Sequence, residues 1–465
     1  MKNLILLLLS ILYFNHEISA QQQFSKATAK AHNLGEALLQ TSGLPGLSIA
    51  VIKDGKIIYA EGFGFADIEN KVRVTTKTQF RTASVAKAIT ATAIGKLLQE
   101  NKLQPDAVVQ KYVPSFAVKN YPVTVRQLAG HIAGMPHYND SDRQEKRFYP
   151  TVADGLTVFA HEPLKAEPGT TYSYSTHGYT LLSAVIEGAS GKSYLDYMKQ
   201  QIFLPLGMLS TGPDLRASPS PTMSTLYNMD GDHVVKEGQP EDPSYKWAGG
   251  GLITTPTDLV KMAHGYLNGF LKPAIVDTLF KTQFLKSGTP TLVGIAWRTS
   301  QNVDGRMVRD HAGSMGGARS VIAIYPNEKM AIAIMTNAGW NGMIEETAQM
   351  IMLPFLSAKA SVATIKGTYN LSVTSVGEKT PSNGKIILNG NEGSFTSSAG
   401  LKEIKTMPVI HLEANRYAWI RPDGICYLEL ELKNNILTGR AIAFGSRLDH
   451  NPLTNTPFVS FTSVR

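Results

Sequence analysis

Four apolar runs, two near the start and two far downstream, set the tightest limit on how this chain folds. Residues 47–67, LSIAVIKDGKIIYAEGFGFAD, hold the first two on either side of Asp54-Gly55. An Asp-Gly pair between apolar runs marks a two-residue hairpin, because both central positions of that turn need left-handed backbone. Residues 319–336, RSVIAIYPNEKMAIAIMT, hold the other two around Pro326-Asn327. Between the pairs the periodicity is helical. Residues 84–100 carry Ala, Leu and Ile on a helix repeat, with Ser84 where such a helix begins. Residues 252–270 repeat the pattern with Thr255 and Asp258 near the start, and further helices are expected at 22–41 and near 341–356. Strands at both ends and helices between predict one sheet assembled from early and late segments, with a helical subdomain inserted.

Composition changes after Leu356. An Ala/Ser-rich linker, 358–364, precedes short β-rich runs over 365–465: GKIILNG, PVIHLEA, RYAWIR, ICYLELEL, LTGRAIAFG and PFVSFTSV. Turn residues separate them at regular intervals, as in a small antiparallel barrel-like domain. The main domain is therefore expected over 21–357. At the other end, Lys2 precedes an apolar run, Leu4 to Phe14, and Ala20 follows as a small residue at a cleavage position. That run is shorter than the roughly 20 residues a bilayer span needs, so residues 1–20 are expected to be a secretory signal peptide, leading to the periplasm or outside. No transmembrane span is expected elsewhere.

Some functions are set aside early. Lys and Arg number 45 against 37 Asp and Glu, a net charge of +8, but the basic residues are dispersed and no nucleic-acid partner is expected. A single cysteine, Cys426, excludes an intrachain disulfide and any cysteine-built cluster; it is expected to be a buried small residue. The histidines show no metal-ligand spacing, so no metal and no cofactor are expected.

One chemistry remains open. Acyl transfer needs a nucleophile, a base for its proton and donors for the oxyanion. Ser84-Val85-Ala86-Lys87 is an S-x-x-K motif, and three residues along a helix put amine and hydroxyl on one face. A lysine desolvated there can be neutral and act as base. The motif alone is weak, since Ser84 could equally be a helix N-cap. A second copy, Ser382–Lys385, falls in Pro-Ser-Asn-Gly-Lys, read as a turn between strands with no shared face.

Context separates the two copies. Tyr174-Ser175-Thr176 follows a Pro-Gly pair, and His311-Ala312-Gly313 stands just before the late strand pair. With TVRQLAGHIAGMPH at 124–137 and WAGGGLITTPTDL at 247–259, this order resembles the serine β-lactamase-like hydrolases of the class C and penicillin-binding type. YSTHGYTLLSAVIEGASG, SYKWAGGGLITT and EGFGFADIENKV resemble in particular the subgroup of the mitochondrial serine β-lactamase-like protein and its bacterial relatives. The resemblance spans about residues 40–350. It implies an α/β (α+β) sandwich, an antiparallel sheet flanked by helices, with Ser84 as acylated nucleophile, Lys87 as its base and Tyr174 as proton shuttle. It also implies an oxyanion hole from the backbone N–H groups of Ser84 and Ser314. It places His311, in the position of the third-motif lysine, in the catalytic set with Ser84, Lys87 and Tyr174, and Thr176, His311, Gly313 and Ser314 are expected to contact substrate.

Two positions depart from the antibiotic-hydrolysing pattern. Thr176 stands where those enzymes carry Asn, and a hydroxyl cannot present an amide's donor–acceptor pair. His311 replaces a lysine, and an unpaired His is mostly neutral at pH 7. Both favour a peptidase or esterase acting on a small-molecule or peptide substrate. A cell-wall D-Ala-D-Ala peptide, cut by a penicillin-binding carboxypeptidase, and a β-lactam remain alternatives, as does a non-catalytic or filament-forming protein on the same scaffold. His131 and His137 are read as structural; His177 is a candidate for substrate contact. The oligomeric state is not legible.

Overall fold

The computed structural model describes residues 24–139, 142, 145–238, 240–356, 364–378, 380–398, 403–442 and 457–464. The expected signal segment, 1–20, and the expected linker, apart from Thr364, lie outside the described residues.

Early and late segments do meet in one sheet. Gly46–Lys53 pairs antiparallel with Lys56–Asp67 on one side and with Met330–Thr336 on the other, so that Ala50 faces both Ala60 and Ala333. Across the sheet the seven strands run Val72–Arg73, Lys56–Asp67, Gly46–Lys53, Met330–Thr336, Ala318–Tyr325, Met307–Met315 and Arg298–Gln301. Asp54 and Gly55 both take positive φ, 45° and 80°, as the hairpin requires.

The central strands are apolar throughout because both faces are covered. On one face Ala50, Ile52, Ile322 and Ala333 pack with Ile89 and Ile94 of the helix Ala86–Gln99 and Leu259 of the helix Pro256–Gly265. On the other, Leu47, Ile49, Val321 and Ile334 pack with Leu34 and Leu38 of the 24–42 helix and Ile351 of the helix Ile344–Leu356. The expected 252–270 helix is shorter than its pattern. Leu252–Thr254 is a strand, and the helix starts after Thr255, whose side chain accepts from the Asp258 N–H as an N-cap.

Eight antiparallel strands, Lys366–Ser375 to Pro457–Ser463, close a barrel. Closure removes the free edges a small sheet would expose. Trp419, Cys426 and Leu428 fill its interior, and Cys426 is fully buried as expected. The second S-x-x-K copy is corrected here. Ser382 and Lys385 lie within the strand Ser382–Asn389 rather than a turn. With a side-chain period of two they point to opposite faces.

Candidate active site

The nucleophile sits at a break in the chain's regularity. Ala83–Val85 is one 3₁₀ turn, and the α-helix Ala86–Gln99 continues from it. No side chain caps either start, so Ser84 is not serving as an N-cap. Ala83 takes φ +43°, a left-handed backbone that costs a non-glycine residue about 1 kcal/mol or more. The turn is held on both sides. Thr82 Oγ1 donates to the Leu252 carbonyl at 2.8 Å, and Ser320 Oγ donates to the Thr82 carbonyl at 2.5 Å.

Lys87 follows in the first helical turn, and its side chain is fully buried. Its Nζ lies 2.7 Å from the Gly249 carbonyl, 3.0 Å from Thr176 Oγ1 and 3.1 Å from Ser84 Oγ. Burial, and after it the positive charge of Lys246, hold this amine well below the ordinary lysine value. A neutral amine has two N–H donors and one lone pair. In that neutral form the donors go to Gly249 and Thr176, and the lone pair faces the Ser84 hydroxyl; in the charged form the third N–H donates to Ser84 Oγ. Thr176 is itself fully buried, so its hydroxyl is engaged with the base rather than turned to the cavity.

Tyr174 arrives from the loop before the helix Thr176–Ser190. It shares a hydrogen bond with Ser84, but burial dominates and pushes the phenol above its ordinary value, so the resting group is a phenol. Two histidines fix this loop. His131 Nδ1 accepts from the Ser175 N–H at 3.1 Å, and His137 Nδ1 accepts from the Thr176 N–H at 3.2 Å. The His131 ring also packs on Tyr174, with centroids 4.3 Å apart. Both acceptors are therefore the unprotonated nitrogens of neutral rings.

His311, Gly313 and Ser314 come from the strand Met307–Met315. Its outer neighbour pairs only with Met307–Asp310, so from His311 onward that edge has no strand partner among the described residues. Gly313 passes so close to the nucleophile turn that a Cβ there would stand 2.6 Å from the Thr82 carbonyl and 2.8 Å from the Ser84 nitrogen. Only glycine allows that approach. His311 is buried and held well below its ordinary value by burial, then by the Arg298 charge; its Nδ1 lies 2.8 Å from the Ala312 carbonyl and donates to it. Arg298, 3.0 Å from Asp310, is a half-buried cation that the sequence motifs did not point to.

The cavity in front of Ser84 measures about 140 Å³ and is lined by Ser84, Tyr138, Glu241, Lys246 and Ser314 among others. Larger hollows of about 480 and 520 Å³ lie away from it, one beside Arg126 and one on the barrel, and contain none of this chemistry. His177, expected as a possible substrate contact, is fully buried outside the lining: it bonds Asp142 at 3.2 Å and stacks on Phe159. Glu162 joins that pair, bringing three ligand-type atoms within 4.8 Å of one another.

Comparison with known proteins points one way. A family model described as Beta-lactamase matches residues 31–349. The Bos taurus protein named serine beta-lactamase-like protein LACTB, mitochondrial, is 28% identical over 425 residues, covering 70% of this chain and 76% of the relative. Among solved structures, an octameric penicillin-binding protein homologue from Pyrococcus abyssi superposes with a TM-score of 0.62 at 22% identity, over 94% of this chain and 99% of that one. A D-stereospecific amidohydrolase from Streptomyces sp. superposes with a TM-score of 0.57 at 23% identity, over 67% and 95%.

Proposed function

This chain belongs to the beta-lactamase family, and from that premise we propose that it is a serine hydrolase cutting an amide or ester bond through an acyl-Ser84 intermediate. The observation that carries this reading is the Lys87 amine, buried, with two acceptors at 2.7 and 3.0 Å and Ser84 Oγ at 3.1 Å.

The proton and electron movements then follow. Ser84 Oγ attacks the substrate carbonyl carbon as its proton passes to Lys87. The carbonyl oxygen becomes an oxyanion, held by the N–H groups of Ser84 and Ser314; each such donor is worth about 3 kcal/mol. The proton goes by way of the Tyr174 hydroxyl to the leaving nitrogen or oxygen, and the scissile bond breaks. Water then attacks the acyl carbon, giving its proton back along the same path, and Ser84 leaves with it. Tyr174 relays as a phenol, since burial raises its pKa.

A neutral His311 provides no charge for a substrate carboxylate, and Thr176 holds the base, so the reading favours peptidase or esterase chemistry over efficient β-lactam hydrolysis. We place the protein outside the cytoplasm, with residues 1–20 as export signal, and set its catalytic unit at 21–357. Intact-mass spectrometry after incubation with a fluorophosphonate tests the reading. A single adduct on the wild type, absent from Ser84→Ala, supports it. No adduct, or an adduct that survives in Ser84→Ala, refutes it.

A further inference from the structure

An ion pair faces the nucleophile across the cavity. Lys246 Nζ stands 2.8 Å from Glu241 Oε2, with side-chain exposures of 3% and 14%. Among the described lining residues Lys246 is the one cation and Glu241 the one carboxylate. Neither drifts on a free loop. The ammonium lies 4.6 Å above the Tyr138 ring. The Lys246 carbonyl accepts from the Gly249 and Gly250 N–H groups, both at 2.9 Å, and the Gly249 carbonyl in turn accepts from Lys87. Lys246 therefore belongs to the same turn that holds the base, and Glu241 is held separately, its carbonyl accepting from Arg81 Nη2 at 3.3 Å.

A second carboxylate reinforces the negative side. Glu237, bonded by Asn228, stands 3.8 Å from where a Cβ on Gly316 would be, and Gly316 lines the cavity. A carboxylate entering the cavity would meet a cation already matched by Glu241 and two like charges beside it. An ammonium would meet Glu241, the more exposed member of the pair. Like-charge juxtaposition rejects wrong partners as effectively as attraction selects right ones.

We propose that Glu241 is a specificity-determining residue of the Ser84 site. It occupies the place on Lys246 that a substrate carboxylate would take, and it selects acyl groups carrying a free ammonium, that is, aminoacyl amides or esters with an unblocked amino terminus. The inference rests on the acyl-Ser84 reading and names its substrate class.

The test uses three matched 4-nitroanilides on the full chain: alanyl, N-acetylalanyl and N-succinylalanyl, each in D and L form. Wild type should favour the alanyl over the succinyl compound by about tenfold or more in kcat/KM, the size expected for one close charge contact. Glu241→Gln should bring that ratio close to one or invert it, because Lys246 is then unmasked. Glu241→Asp, which keeps the charge, should restore the preference. A wild type that prefers the succinyl compound or treats both alike overturns the proposal, as does a preference that survives in Glu241→Gln. Absence of Ser84-dependent turnover and of a fluorophosphonate adduct overturns the acyl-Ser84 reading itself, and the proposal with it.

Discussion

Ser84–Lys87 and Ser382–Lys385 carry the same four-residue motif and could hardly be placed more differently. In the first copy a 3₁₀ turn running into an α-helix puts both side chains on one side, with the lysine fully buried and its amine 3.1 Å from the hydroxyl. The second lies in a barrel strand opposite Val373 and Asn370, where the serine turns inward and the lysine is exposed. Spacing is common to both; backbone period and burial are not. What gives a lysine the properties of a base here is desolvation with a fixed set of acceptors, and a four-letter pattern carries neither.

The contrast can be broken by paired substitutions. Ser84→Ala should lower fluorophosphonate labelling about a thousandfold or more, as loss of a serine nucleophile does, while Ser382→Ala leaves the labelling rate unchanged; a loss in the second variant would show that the barrel copy takes part. Lys87→Ala should slow acylation by about a hundredfold or more, measured by the same rate, against no change in Lys385→Ala. Thr176→Val keeps the shape but removes one acceptor from the Lys87 amine. It should slow labelling by about three- to tenfold, the worth of one hydrogen bond.

The smallest effect concerns pH. Acylation needs the neutral Lys87 amine, whose pKa burial has lowered, so labelling should fall as pH drops through that lowered value. Lys246 contributes to the lowering. Lys246→Met should therefore raise the Lys87 pKa and move the acid limb of the profile to higher pH. A limb that stays in place or moves down contradicts the electrostatic coupling.

Where local pattern and tertiary placement agree, the chain is legible. The Asp54-Gly55 hairpin, the sheet shared by early and late segments, and the barrel all follow from period-two apolar runs closed by turn residues. The strands Lys366–Ser375 and Glu392–Ser397 did not stand out, because their outward residues are polar and their inward ones few. At the site, ordered motifs point to Ser84, Lys87, Tyr174 and the His311–Ser314 stretch, which the fold brings together. Lys246, Glu241, Tyr138 and Arg298 stayed hidden. Each comes from a loop, strand or 3₁₀ turn remote in sequence, and a polar or charged side chain with no periodic neighbour reads as solvated surface until the fold encloses it. Ala83 is hidden for another reason: nothing in an alanine announces a left-handed backbone.

The barrel has two insides. Trp419 and Cys426 look into its bore, but their neighbours Ala418, Ile420, Ile425 and Tyr427 look outward and join the same apolar cluster as Leu47, Ile334 and Ile351 of the main sheet. The strand Arg416–Arg421 is accordingly buried at every position. Cutting the polypeptide between the two halves would thus not release two clean modules. It would lay bare a greasy seam on each, and calorimetry of the intact protein should record a single melting event shared by catalytic unit and tail.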